Sequence, residues 1–534
     1  MDSGKRCSFP QKNYVSTGVS DRRHTGLQQL QVLSASAQGF LGPRKQLKFI
    51  QEKSDGSSVL VGSCHRLLEC LDLDGSVTQL LNETVQAQHK IFHSGTSTLM
   101  FMAGAWSQVA LEAVNLGITV SQIKTAMTRA LEECVEACKH SAVNISDISP
   151  PKSDAKGKEG VKLPQDLKCK LKHSRHFTSH NAQETTINKI SRIAQAITHG
   201  SEASMNLVLK AYELQSMPCF DVQKLVTCTI PSMSEGQACA LNGYVTSLSM
   251  EQTQLAQRLK DKVLNIALIK GDLTKKYRHL GFNTPSNSTK ITDCLSSSSE
   301  EERWIENTLK TLHKLNIDIV LVNGMIDTKL MEQCTDILLL QGVKSNIFSE
   351  FSINAIPISY VGQLDERCIG QARIKSVFSW KLICVTSESS TLVSVIITSP
   401  VPAKLQRMED EVWKCAHRLN QAITEEKLLP GAGATESICV HRLMHTLRAN
   451  HEEETVVMKL MVEAWWKYIW TLERNIGEEQ TSDVGGAIVY DNMSVKFEAW
   501  RRALDLVLLL LQSDTEIITG VSEGENKYNQ LMTL

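Results

Sequence analysis

The chain holds 534 residues, with 57 basic against 58 acidic side chains, a formal net charge of −1 and 42% hydrophobic residues. That length exceeds one compact core, and the balance describes a globular protein of several domains. No strong basic field argues for nucleic acid, no long acidic tail is present, and the longest apolar run, Leu506–Leu511, is far too short for a membrane span.

The first 20 residues are polar, contain Gly4, Pro10 and Gly18, and lack the apolar stretch of a secretory leader. They read as a disordered tail. Fifteen cysteines without paired spacing then read as reduced cytosolic thiols. Cys134 and Cys138, four apart with His140 nearby, would share a helix face; they are read as buried thiols, since two or three loose ligands make a poor metal site. The sequon Asn82-Glu83-Thr84 lies inside a helix pattern and is discounted.

A helical pattern runs from Gly26 to Gln38 and stops at the Gly42-Pro43 breaker. Val77, Leu80, Leu81, Thr84 and Val85 recur on one helix face. Next comes a polar turn, His93 to Thr98, feeding an apolar helix from near Leu99 that carries Met102, Ala103, Trp106, Val109, Ala110 and Ala113. Amides at a helix N-terminus attract anions, and Gly95 would let a phosphate approach the backbone. Plain Ser/Thr capping gives the same letters and is the commoner reading of these residues alone. A further helix, opened by Thr119 or Ser121, carries Ile123, Ala126, Met127, Ala130, Leu131 and Cys134.

From Ser141 to Gln183 periodicity fades and Pro150-Pro151, Lys and Ser accumulate, so the segment reads as a flexible linker or insertion. Its Lys156–Lys172 run suits either an acidic partner or, more plainly, solvated linker charge. Helix resumes at Ile187, Ile190, Ile193, Ala194 and Ile197, and strands are expected at Val222–Ile230 and Gly243–Ser247. Strands at Val263–Ile269, Ile317–Val322, Ile337–Leu340 and Ile356–Tyr360, alternating with helices, predict a parallel α/β unit. A strand follows at Val393–Thr398, then helices at Glu409–Gln421 and at Val495–Gln512, the last apolar nearly all round and therefore buried.

Leu41-Gly42-Pro43-Arg44-Lys45, the turn at Ser94–Thr98 and Leu429-Pro430-Gly431-Ala432-Gly433-Ala434-Thr435-Glu436, in this order, resemble a group II chaperonin subunit. Arg22–Leu30 and Glu498–Gly520 look most like the divergent chaperonin-like branch associated with Bardet–Biedl syndrome. The fold this implies has a helical equatorial domain (21–140 and 425–534), a small intermediate domain (185–242 and 379–424) and an α/β apical domain (243–378), with 141–184 as an insertion. Lys275–Ser299, polar and Ser-rich, stands where such subunits carry a helical lid element and is short for one. The stretch after Ile476 is also shorter than the family's.

The resemblance also locates a nucleotide site. Ordinary subunits carry Gly-Asp-Gly-Thr-Thr at the phosphate turn, the Asp holding Mg²⁺; His93 and Ser94 replace the first Gly and the Asp, while Gly95 and Thr96 are kept and Ser97 stands for the second Thr, with Thr98 following. Gly62-Ser63-Cys64 replaces an earlier Asn-Asp-Gly turn. Lys414 takes the place of the Asp that activates water; protonated at neutral pH, it cannot accept that proton. Gly42, Pro43, Gly431, Gly433 and the ribose-contacting position Asp491 are retained. These residues read equally as a nucleotide remnant and as plain turns and helix starts. The resemblance thus implies no catalytic residue, no metal and no required cofactor, with weak ATP or ADP binding left open. It implies a chaperonin-like assembly factor acting with two other chaperonin-like proteins of the syndrome and with cytosolic chaperonin ring subunits. The implied clients are subunits of a ciliary trafficking complex, and the implied location is cytoplasm, centrosome or basal body, and cilium. An ATP-driven folding subunit and a centrosomal scaffold are the alternatives.

Overall fold

A computed structural model describes residues 24–51, 58–73, 75–148, 189–215, 220–260, 262–275, 277, 300–388, 390–447, 452–476 and 489–513. The expected tail, nearly all of the 141–184 insertion, Ile187, most of the lid stretch and the segment after Ile476 lie outside these residues. The chain divides into two compact units: residues 1–143, 428–485 and 490–534 form the first, and 144–427 with 486–489 the second.

The first unit begins with α1 (Thr25–Ser34), which tightens into a 3₁₀ turn, Ala35–Phe40, and an antiparallel hairpin of β1 (Lys48–Gln51) and β2 (Ser58–Val61). Helices α2 (Cys64–Glu69), α3 (Ser76–Phe92), α4 (Thr96–Asn115) and α5 (Val120–His140) follow, and β3 (Val143–Asn144) ends the stretch. Periodicity is the cause: Val77, Leu81 and Val85 bury one face of α3, while α4 buries every residue from Leu99 to Ser107 and sits in the core. Thr119 opens α5 with a complete capping box, its hydroxyl accepting from the Gln122 amide.

The second unit starts with a helical stretch at 189–196 and α6 (Glu202–Leu214). Its strands β4 (Leu225–Pro231) and β5 (Cys239–Asn242) flank β12 in a small sheet of order β4-β12-β5, β12 being Val393–Ser399. A six-stranded sheet of order β6-β11-β10-β7-β8-β9 is built from β6 (Tyr244–Ser247), β7 (Leu264–Ile269), β8 (Ile319–Val322), β9 (Leu338–Leu340), β10 (Gly370–Val377) and β11 (Ser379–Thr386). Helices α7 (Met250–Arg258), α8 (Glu300–Lys314), α9 (Thr328–Gln333) and α10 (Ser345–Phe351) connect or cover it, and α11 (Pro402–Glu425) follows β12. The chain then returns to the first unit through β13 (Lys427–Pro430), α12 (Ala434–Leu447), α13 (Glu452–Ile476), β14 (Tyr490–Asn492) and α14 (Met493–Gln512).

The expected parallel unit is present as β7, β8 and β9, each run paired in parallel with the next. Three expectations change. Ile356–Tyr360 is no strand: Pro357 offers no amide to a ladder, and only Ile358 bridges to Ile269. The strand expected from Val222 begins with a 3₁₀ turn and extends only from Leu225. The sheet is mixed, because β10 and β11 add an antiparallel hairpin that the α/β alternation did not suggest. The limit expected at 378 falls inside that hairpin, and β11 sits between β10 and β6.

The core of the first unit joins all three of its chain segments. Trp106 on α4, Trp465 on α13 and Trp500 on α14 are fully buried. Trp465 meets the other two rings edge-on at centroid distances of 5.6 and 4.8 Å. Residues more than 300 positions apart therefore close one core.

Candidate functional site

The turn before α4 departs from the expected geometry in a telling way. The helix starts at Thr96 rather than near Leu99, and its N-cap is Gly95 at φ 81°, with no side-chain cap. Hydroxyl capping is therefore corrected. The hydroxyls serve other partners: Ser94 Oγ donates to the Phe92 carbonyl (3.2 Å), Ser97 Oγ accepts from Cys64 Sγ (3.6 Å), and Thr98 Oγ1 lies 3.1 Å from Tyr468 Oη. Thr96 is buried. A Cβ on Gly95 would lie 2.9 Å from Val495 Cγ1 and 3.0 Å from Gln88 Nε2, so only glycine fits there. Gln88, fully buried, donates to the Ser94 and Val495 carbonyls at 3.4 and 3.3 Å, pinning the turn to the start of α14. Behind it the His65 and His89 rings stack at 3.6 Å, and His93 meets His89 edge-on at 4.8 Å.

Two other glycine turns meet α13. Gly42 (φ 81°) and Gly433 (φ 88°) both take left-handed backbone, and a Cβ on either would touch Leu472, at 3.9 and 4.0 Å. Asn475 Nδ2 donates to the Gln38 and Leu41 carbonyls at 2.8 and 3.0 Å, which ties the Gly42 turn to the same helix. Pro43 is exposed and Gly431 is buried. Thr435 Oγ1 donates back to the Pro430 carbonyl, closing the turn into α12.

Asp491 does not stand open. Lys496 Nζ lies 2.6 Å from Asp491 Oδ2 and 2.7 Å from Glu436 Oε1, and Glu436 is fully buried. Burial works against the Lys496 charge, but the two carboxylates outweigh it and hold its pKa well above the usual lysine range. Burial, then the Glu436 charge, pushes the Tyr468 phenol up as well. Thr98, Tyr468, Glu436, Asp491 and Lys496 thus form one buried polar cluster. Of the retained positions, Gly42, Gly95, Thr98, Gly433 and Asp491 converge on α13 and the start of α14. Sequence reasoning missed Gln88, Glu436, Tyr468 and Lys496. Gln88 left a signal as a polar residue in register with Val77, Leu81 and Val85, and Glu436 stood at the end of the Leu429–Glu436 motif without a role assigned to it.

Lys414 belongs to the second unit, on α11. Its Nζ lies 3.5 Å from Glu411 Oε1, with both side chains 9% exposed. Glu411 Oε2 also accepts from Ser201 Oγ at 2.5 Å, and Arg418 donates to the Ile197 and Thr198 carbonyls at 2.9 and 3.1 Å. The lysine is part of the packing that holds α11 against the 197–201 turn.

The phosphate turn offers a hydroxyl already donating to a carbonyl, and a hydroxyl is no substitute for the carboxylate a hard divalent cation requires. Mg²⁺ therefore does not fit the residues present. Among the described residues no group of three or more His, Cys, Asp or Glu is placed to hold a metal ion. Cys134 and Cys138 are fully buried; Cys138 Sγ lies 3.5 Å from Cys439 Sγ, and that contact with burial drives its pKa far upward. They are inert core thiols.

Helical and α/β units, glycine turns gathered on one helix and a divergent phosphate turn define a chaperonin-type subunit. The chain belongs to the TCP-1/cpn60 chaperonin family, whose pattern it matches over residues 165–485. It is 30% identical to the chaperonin-containing T-complex member BBS12 of Homo sapiens, covering 94% of this chain and 97% of that protein, and 29% identical to the Mus musculus protein of that name, covering 96% and 98%. It is 21% identical to T-complex protein 1 subunit gamma of Tetrahymena pyriformis, covering 90% and 88%. No helix among the described residues is long and apolar enough to cross a membrane.

Proposed function

We propose that this chaperonin-like chain is a non-hydrolysing assembly factor. It helps build the ciliary trafficking complex known as the BBSome, together with two other chaperonin-like proteins and cytosolic chaperonin ring subunits. It works in the cytoplasm, at the centrosome or basal body, and at the cilium. The observation that carries the non-hydrolysing part is the use made of the replaced positions. Neither side chain carries a carboxylate, and both are engaged, Lys414 with Glu411 and Ser94 Oγ with the Phe92 carbonyl. The relatives named after the syndrome series support the assembly role. The retained Gly42, Gly95 and Gly433 turns and the first-turn amides of α4 are compatible with weak, Mg²⁺-independent binding of ATP or ADP, and no cofactor is required for the role.

Affinity purification of the full chain from ciliated cells tests the partner set. Recovery of ring subunits together with ciliary-complex subunits is the expected outcome. Recovery of centrosomal structural proteins alone would replace this reading with a scaffold.

A further inference from the structure

Within the first unit a cavity of about 400 Å³ opens between α1, α4 and α13, lined among others by Ser34, Gln38, Phe101, Gly104 and Lys467. Gly104 keeps its floor tight: a Cβ there would fall 2.5 Å from Ser34 Cβ. Ser34 is 2% exposed, and its Oγ has no hydrogen-bond partner among the described residues. Lys467 Nζ donates to the neutral Gln108 Oε1 at 2.9 Å, and among the described residues no carboxylate lies within ion-pairing distance of it. The cavity is therefore polar at its base and carries a cation that no described residue neutralises.

Its surroundings are apolar and open. Trp470, three residues beyond Lys467 on the same helix face, is 62% exposed, and its ring stacks on Trp466 at 6.0 Å. Val32, on α1, is 74% exposed. Tryptophan at a surface is the residue type that most often anchors a protein interface, and rim charges there select the partner.

We propose that this cavity is a docking socket for a partner protein segment that presents an acidic side chain flanked by apolar residues. The carboxylate pairs with Lys467 Nζ, and the apolar flanks cover Val32 and the Trp466–Trp470 pair. A small free anion would neutralise Lys467 but leave both apolar surfaces in water, which favours a protein segment. The socket rests on the assembly reading above and gives it a contact surface.

The test is zero-length carbodiimide coupling on complexes purified with the full chain, followed by peptide mapping. Lys467 is expected to be joined to an Asp or Glu of another protein. Lys467→Met and Trp470→Ala should each weaken the complex by about tenfold or more, with Lys467→Arg within about threefold of the parent and Lys459→Met, on the same helix, without effect. Complexes that form unchanged with Lys467→Met and Trp470→Ala overturn the socket and leave the assembly role standing. Absence of any complex overturns both. Coupling of Lys467 to a second copy of this chain, or shielding of Lys467 from amine labelling by inorganic phosphate alone, also overturns the socket.

Discussion

Lys414, proposed to stand at a lost catalytic position, shows why one substitution would not restore it. Its ammonium lies beside Glu411, both nearly buried, and Glu411 also holds Ser201. Lys414→Asp would set two carboxylates together where charges are poorly solvated, a larger loss than the cost of about 3–5 kcal/mol for removing one partner of a buried pair. Urea denaturation should show that loss, whereas Lys414→Met, which leaves one carboxylate, should lose less. Lys496 plays the matching part in the first unit, so Lys496→Met should also cost about 3–5 kcal/mol by stranding Asp491 and Glu436. Its folded pKa is raised, so its contribution is fully present below the unfolded value of about 10.4 and is lost as pH rises through the folded one. Stability of the parent should therefore fall in strongly alkaline solution with a component that Lys496→Met lacks. Gly95→Ala should destabilise by about 1–3 kcal/mol, from the positive φ and the contact with Val495; an unchanged denaturation midpoint would contradict the close packing of that turn.

At the scale of elements, long amphipathic helices were legible because one face repeats. α3 and α5 follow their apolar residues closely, and Thr119 caps α5 as its letters suggest. The β10–β11 hairpin was missed although buried Ala372 and Ile374 alternate with exposed Gln371, Arg373 and Lys375; what no local pattern reveals is its placement, β10 against β7 and β11 against β6, strands far earlier in the chain. Nor could local pattern reveal that Asp491 would be claimed by Lys496, since which partner fills a buried position is decided by packing of distant segments. The hairpin has a consequence for dissection. A fragment 243–378 lacks β11 and so severs β6 from the sheet, whereas 243–387 keeps all six strands. The longer fragment should melt cooperatively and the shorter one should not; equal cooperativity would contradict the strand order.

For the whole molecule, the family fold is kept, and in the proposed reading the positions that would run an ATPase cycle serve the protein's own packing. Positioned base catalysis is worth roughly 10²–10⁴-fold, and metal stabilisation of phosphate charge adds several kcal/mol. In the proposed reading Ser94 and Lys414 remove both terms, and because Lys414 is woven into α11, the double change Ser94→Asp with Lys414→Asp should lose stability without gaining turnover. Phosphate release from ATP by the purified full chain, freed of ring subunits, tests this most directly. The account predicts background rates with and without Mg²⁺. Turnover that co-purifies with the chain and disappears in Gly95→Asp protein that is still folded would contradict it.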